Sequence, residues 1–113
     1  MHEYFPDQWM LVKVTGTDPH YRVFGSWSGG YLDGDSWRLN SGVVKCVESE
    51  TYPDRYEFIG YSGSKYICHK ETYGISSVYN NGVLYDYCER SHDTMEVVED
   101  IPENLTEMDW IIS

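Results

Sequence analysis

The chain has no alanine, only three cysteines and few cations, and each scarcity excludes something. Alanine is the strongest helix former, so a helical bundle is not expected. Cysteines at 46, 68 and 88 leave at least one thiol unpaired, which argues against a disulfide scaffold. No Cys-x-x-Cys pair is present, and Cys68 and His69 are neighbours that a strand points to opposite faces, so a structural zinc site is not expected. The longest apolar run, Trp9-Met10-Leu11-Val12, is far too short to span a bilayer. No stretch near the start joins a basic flank to an apolar segment, so a signal peptide is not expected and a reducing cytoplasm is the expected setting.

Cations are scarce: 8 Lys plus Arg stand against 19 Asp plus Glu, a formal charge of −11. The imbalance is local. Residues 1–85 hold ten acids and seven bases, whereas 86–113 hold nine acids and one base, Arg90. Phosphates are bound chiefly by Lys and Arg, so direct nucleic-acid binding and anionic membranes are disfavoured, and a basic protein partner is attracted. The same acids keep a tyrosine-rich protein soluble.

What is present reads as strands. The 113 residues are 41% hydrophobic and 16% aromatic, enough for one domain with its own core. Tyr, Val, Ile, Phe, Trp and Thr fill short segments that Gly, Pro, Asn and Asp separate. Residues 1–7 read as an irregular lead-in, 8–90 as a β body and 91–113 as an acidic segment docking on it. Strands are expected over Trp9–Thr15, Tyr21–Trp27, Trp37–Leu39, Val43–Glu50, Tyr56–Tyr61 and Lys65–Lys70. Ser28-Gly29-Gly30 and Asp33-Gly34-Asp35 are expected breaks. Asn81-Gly82 suits a type I′ turn and predicts a hairpin of Ile75–Asn80 with Val83–Glu89. Glu103–Met108, behind Pro102, predicts a short helical turn. Tyr21-Arg-Val-Phe-Gly25 is echoed by Tyr56-Glu-Phe-Ile-Gly60 at an offset of 35 residues, and both glycines are expected at bulges or bends. The fold expected is all-β: a single antiparallel meander or small SH3-like or OB-like barrel of roughly six or seven strands.

The segments Tyr21–Gly25, Gly30-Tyr31, Asp35–Gly42 and Gly60–Gly74 resemble small uncharacterised proteins of tailed phages of marine cyanobacteria and of marine metagenomes. The resemblance covers about residues 8–75 and fades in the acidic tail. It implies a phage accessory protein acting in a bacterial host. It carries no activity, cofactor or catalytic residue.

Three constellations bear on function. Trp27, Tyr31, Trp37, Tyr61, Tyr66 and Tyr73 lie close to Gly- and Ser-rich turns, where an aromatic platform could anchor a protein interface; such residues also fill cores. Asp33 and Asp35, with Ser36, form an oxygen-rich loop that suits a hard cation or an ordinary polar turn. Ser91-His92-Asp93 has the residue types of a triad, but triads converge from separated positions. No cofactor and no catalytic residue are assigned. The functions expected are, in order, a non-catalytic protein-interaction module, an acidic nucleic-acid mimic inhibiting a host DNA-binding protein, and a small hydrolase or carbohydrate-binding domain. An edge strand left unpaired offers a route to a dimer.

Overall fold

The computed structural model describes residues 2–16, 19–30, 34–75, 78–90 and 94–110. Eight strands are found among them: β1 (Glu3–Tyr4), β2 (Gln8–Val14), β3 (His20–Gly30), β4 (Gly34–Leu39), β5 (Val43–Glu48), β6 (Arg55–Gly60), β7 (Lys65–His69) and β8 (Met95–Val97). One α-helix, α1 (Val78–Arg90), and a 3₁₀ turn at Leu105–Glu107 complete the elements. The all-β class expected from the sequence is what the chain adopts, with the helical turn inside Glu103–Met108.

The strands form two four-stranded sheets, ordered β4-β3-β2-β8 and β1-β7-β6-β5. Each contains a three-strand antiparallel meander, β2-β3-β4 and β5-β6-β7. The echoed segments, Tyr21–Gly25 and Tyr56–Gly60, occupy β3 and β6, the middle strand of each meander. The two extra strands are short and lie outside the meanders. β8 joins β2 antiparallel, and β1 joins β7 in parallel through Glu3↔Lys65 and Tyr4↔Tyr66. Residues 3–4 are thus paired rather than irregular. A two-residue strand has no pattern to read in sequence; its partner defines it.

The sheets pack face to face instead of closing into one barrel. The chain passes from one sheet to the other at Pro6, which is buried, and again at Asn40–Gly42. An isolated parallel bridge, Trp9↔Tyr73, ties β2 to the exit of β7. Gly42 has φ +142°, and a Cβ there would meet the Tyr61 ring at 2.6 Å, so this crossing requires glycine. Gly60 lies opposite an irregularity in β5, between Val43 and Lys45. Gly25 is paired in register on both sides, and its missing Cβ leaves room for Pro6 at 3.2 Å. The expected bulge is therefore met beside Gly60 and replaced by close approach at Gly25. β3 runs on through Ser28-Gly29-Gly30, with its register shift placed between Trp27 and Gly30.

β2 explains the layering. Its run Trp9-Met10-Leu11-Val12 is buried throughout. Alternation sends Trp9 and Leu11 to the other sheet and Met10 and Val12 to the helix. Between the sheets, Trp9, Leu11 and Val23 meet Val43, Cys46, Phe58, Tyr66 and Cys68. Leu105 and Trp110 close this core. Trp110 donates its indole N–H to the Leu105 carbonyl at 3.2 Å, and its ring meets those of Phe58 and Tyr21 edge-on. Ile111 and Ile112 lie outside the described residues.

The hairpin expected around Asn81-Gly82 is not formed; that segment is α1. Its side chains at 80, 83, 84 and 88 recur at helical spacing and are partly or wholly buried. Leu84 packs on Met10, Val12 and Phe24. Asn80 is fully buried, and its amide donates to Ser26 Oγ at 2.8 Å and to the Trp27 and Ser36 carbonyls. A two-stranded hairpin could not cover this apolar sheet face and satisfy those acceptors together. Gly82 faces open space, where glycine costs a helix about 1 kcal/mol relative to alanine. Packing outweighs that local preference.

Candidate functional site: the helix and the grooves beside it

α1 carries four of the nine large hydrophobic residues that are exposed among the described residues. Val78 is 90% exposed and Tyr79 58%, and Tyr85 and Tyr87 are also exposed. A helix whose inner face is already packed normally turns polar residues outward. Here the outward residues include three tyrosines and a valine, with Asp86, Glu89 and Arg90 among them.

A groove of about 600 Å³ runs between α1 and the sheet, lined by Arg22, Trp37, Val83, Asp86, Tyr87, Arg90 and Met95. Strand alternation places Arg22, Phe24 and Ser26 of β3 on the face that α1 covers. Trp37 and Leu39 follow from the register Ser26↔Trp37 and Phe24↔Leu39. Trp37 stacks on Phe24, with ring centroids 5.5 Å apart and planes 9° apart. Its exposed remainder meets Tyr87 at 6.3 Å and 65°. Arg90 donates to Asp86 at 3.1 Å, one helical turn away. Arg22 is half-buried, donates from Nε to His20 Nε2 at 3.1 Å, and pairs with no carboxylate among the described residues.

A second groove, of about 440 Å³, is acidic: Glu89, Glu96 and Glu99 line it with Tyr85, Cys88, Met95 and Val97. Tyr85 donates its hydroxyl to Glu99 at 2.6 Å, and that bond, followed by burial, raises the tyrosine's pKa. Burial also raises the Cys88 thiol, which disfavours its thiolate form. Burial pushes Cys46 up to about 12 and Cys68 well above its ordinary value. No group of three or more His, Cys, Asp or Glu residues among the described residues could hold a metal ion.

The expected aromatic platform is dispersed. Trp37 lies in the larger groove. Trp27 is next to Trp37's partner Ser26 in β3, so it faces the opposite side of the sheet, where its indole donates to the Phe5 carbonyl at 2.9 Å. Tyr61 is exposed and lies against Gly42. Tyr66 is 1% exposed and belongs to the inter-sheet core, so it is no surface anchor. Tyr73 ties β2 to the residue that follows β8: its hydroxyl accepts from Leu11 N–H at 3.1 Å and donates to the Val98 carbonyl. Tyr31 and Asp33 lie outside the described residues, as does the Ser91-His92-Asp93 run. Asp35 lies in β4, an extended segment rather than a turn.

The groove residues that sequence reasoning missed are Arg22, Tyr87 and Arg90. The helical recurrence at 80, 83, 84 and 88 and the Asp86/Arg90 spacing were signals for the two helix residues, and nothing local singled out Arg22. Asn81-Gly82 overshadowed both signals. No helix among the described residues is long and apolar enough to cross a membrane. Compared with family models, with curated proteins and with solved structures, this chain finds no match.

Proposed function

We propose that this protein is a non-catalytic protein-binding module whose contact element is α1. The observation that carries the reading is the concentration of exposed Val78, Tyr79, Tyr85 and Tyr87 on one helix. Tyrosines that are exposed in the free protein and buried in a complex are frequent binding anchors. The acidic groove along one flank, with the charge of −11, favours a basic partner and speeds its approach. The resemblance to cyanobacterial phage proteins adds a setting, an accessory factor acting on a host protein in the cytoplasm. The larger groove's carboxylate, Asp86, is already engaged by Arg90, which favours binding over acid–base chemistry there.

The test is affinity capture from host lysate with the wild type and a Tyr79→Ser/Tyr85→Ser variant in parallel, followed by calorimetry on the captured protein. A basic protein should be retained by the wild type. Its affinity should fall roughly tenfold or more in the variant, about 1.4 kcal/mol, and should weaken with salt. Equal retention by both forms overturns the assignment to α1.

A further inference from the structure

The geometry points to the groove beside Trp37 as a site for a monoanionic aromatic acid, a planar ring joined to one carboxylate. This goes beyond the partner reading and holds even if the outer face of α1 binds nothing.

Three observations converge. First, Phe24, Trp37 and Tyr87 form a ring cluster that ends in the groove, with Trp37 37% exposed and Tyr87 41% exposed. A further ring extends that cluster and covers its apolar edge. Second, Arg22 lines the same groove half-buried and pairs with no carboxylate among the described residues, in a chain with more than twice as many acids as bases. A partly desolvated guanidinium gains most from a carboxylate, which matches its planar fork. Third, the charges set the ligand's valence. Arg90 is matched by Asp86, so among the described residues the groove carries one cation without a carboxylate partner, Arg22. A ligand with several negative charges would meet the field of the −11 chain and the Asp86 carboxylate, with Arg90 already engaged by that carboxylate. The volume, about 600 Å³, lies within the range of small-ligand sites.

The same chemistry is offered by a free aromatic acid and by the terminal residue of a chain ending in tryptophan. The experiment separates them. Indole-3-acetate, its neutral amide, a Gly-Gly-Trp peptide and its C-terminal amide are each titrated into the full chain, and the Trp37 indole and Arg22 guanidinium NMR signals are followed. At least one acid should bind about tenfold more tightly than its own amide. Binding of indole-3-acetate identifies a small-molecule site, and binding of the peptide alone identifies a chain terminus. Arg22→Gln should abolish the preference for the acid while leaving signals remote from the groove in place. If that variant does not fold, the acid-against-amide ratio in the wild type still decides. Equal affinity for acid and amide, no binding of any probe, or shifts confined to other tryptophans overturns the proposal.

Discussion

The two faces of β2 carry similar apolar side chains and lead to different kinds of interior. Trp9 and Leu11 enter a core between two sheets that Leu105 and Trp110 close off. Met10 and Val12 enter a thinner layer under α1, where Leu84 is the one fully buried helix hydrophobe among the described residues. A single helix is narrower than a four-stranded sheet, so it leaves part of that face uncovered. The grooves lie in the uncovered part. The sealed face supplies stability, and the partly covered face supplies a surface.

That contrast can be tested from the largest expected effect downward. Trp9→Ala removes a fully buried ring whose indole donates to the His69 carbonyl at 2.7 Å. Denaturant unfolding should show a loss of about 3–5 kcal/mol. Leu84→Ala, on the helix side, should cost about 2–3 kcal/mol, the lower part of the usual range, because the open groove lets α1 settle. If Leu84→Ala costs as much as Trp9→Ala, the two faces do not differ as described.

Tyr73→Phe keeps the ring against Trp9 but deprives Leu11 N–H and the Val98 carbonyl of their shared partner. It should cost about 1–3 kcal/mol, and amide exchange should quicken along β2 and β8 but not along β6. Protection unchanged on both strands would show that the hydroxyl is dispensable.

The smallest effect concerns charge. Glu57 accepts from Ser49 Oγ at 2.7 Å and from Lys65 at 3.2 Å, and these bonds hold its carboxyl below the ordinary value of 4.5. A depressed folded-state pKa stabilises the fold above the unfolded value, and that contribution is lost as pH falls through the folded one. The stability gap between wild type and Glu57→Gln should therefore be full at neutral pH and shrink below about pH 4.5. A gap that widens in acid contradicts the sign.

Much of the β framework was legible. The segments between glycine- and proline-bearing turns became β2 to β7 with boundaries shifted by a few residues, because those turns limit where strands can run. α1 was not legible, since Asn81-Gly82 is locally a good hairpin turn and its helical spacing gains meaning only against Met10, Val12 and Phe24. The site was legible in part. Trp37 was singled out, but Arg22 and Tyr87 are 65 residues apart in sequence and meet only through α1. Tyr66 turned out to lie in the core and Tyr73 half-buried beside it, because a tyrosine beside a turn looks the same whether its ring points inward or outward.

The sequence by itself determined the strand character, the absence of a long apolar helix and the concentration of acids after residue 85. Those follow from composition and from local backbone preference, which need no knowledge of neighbours. Only the tertiary structure decided that residues 78–90 are helical, that the echoed strands lie at the centres of two sheets, and that one arginine shares a groove with Trp37 and Tyr87. Burial and pairing between distant segments carry more free energy than the turn preference of two residues, and they exist only once the chain has closed on itself.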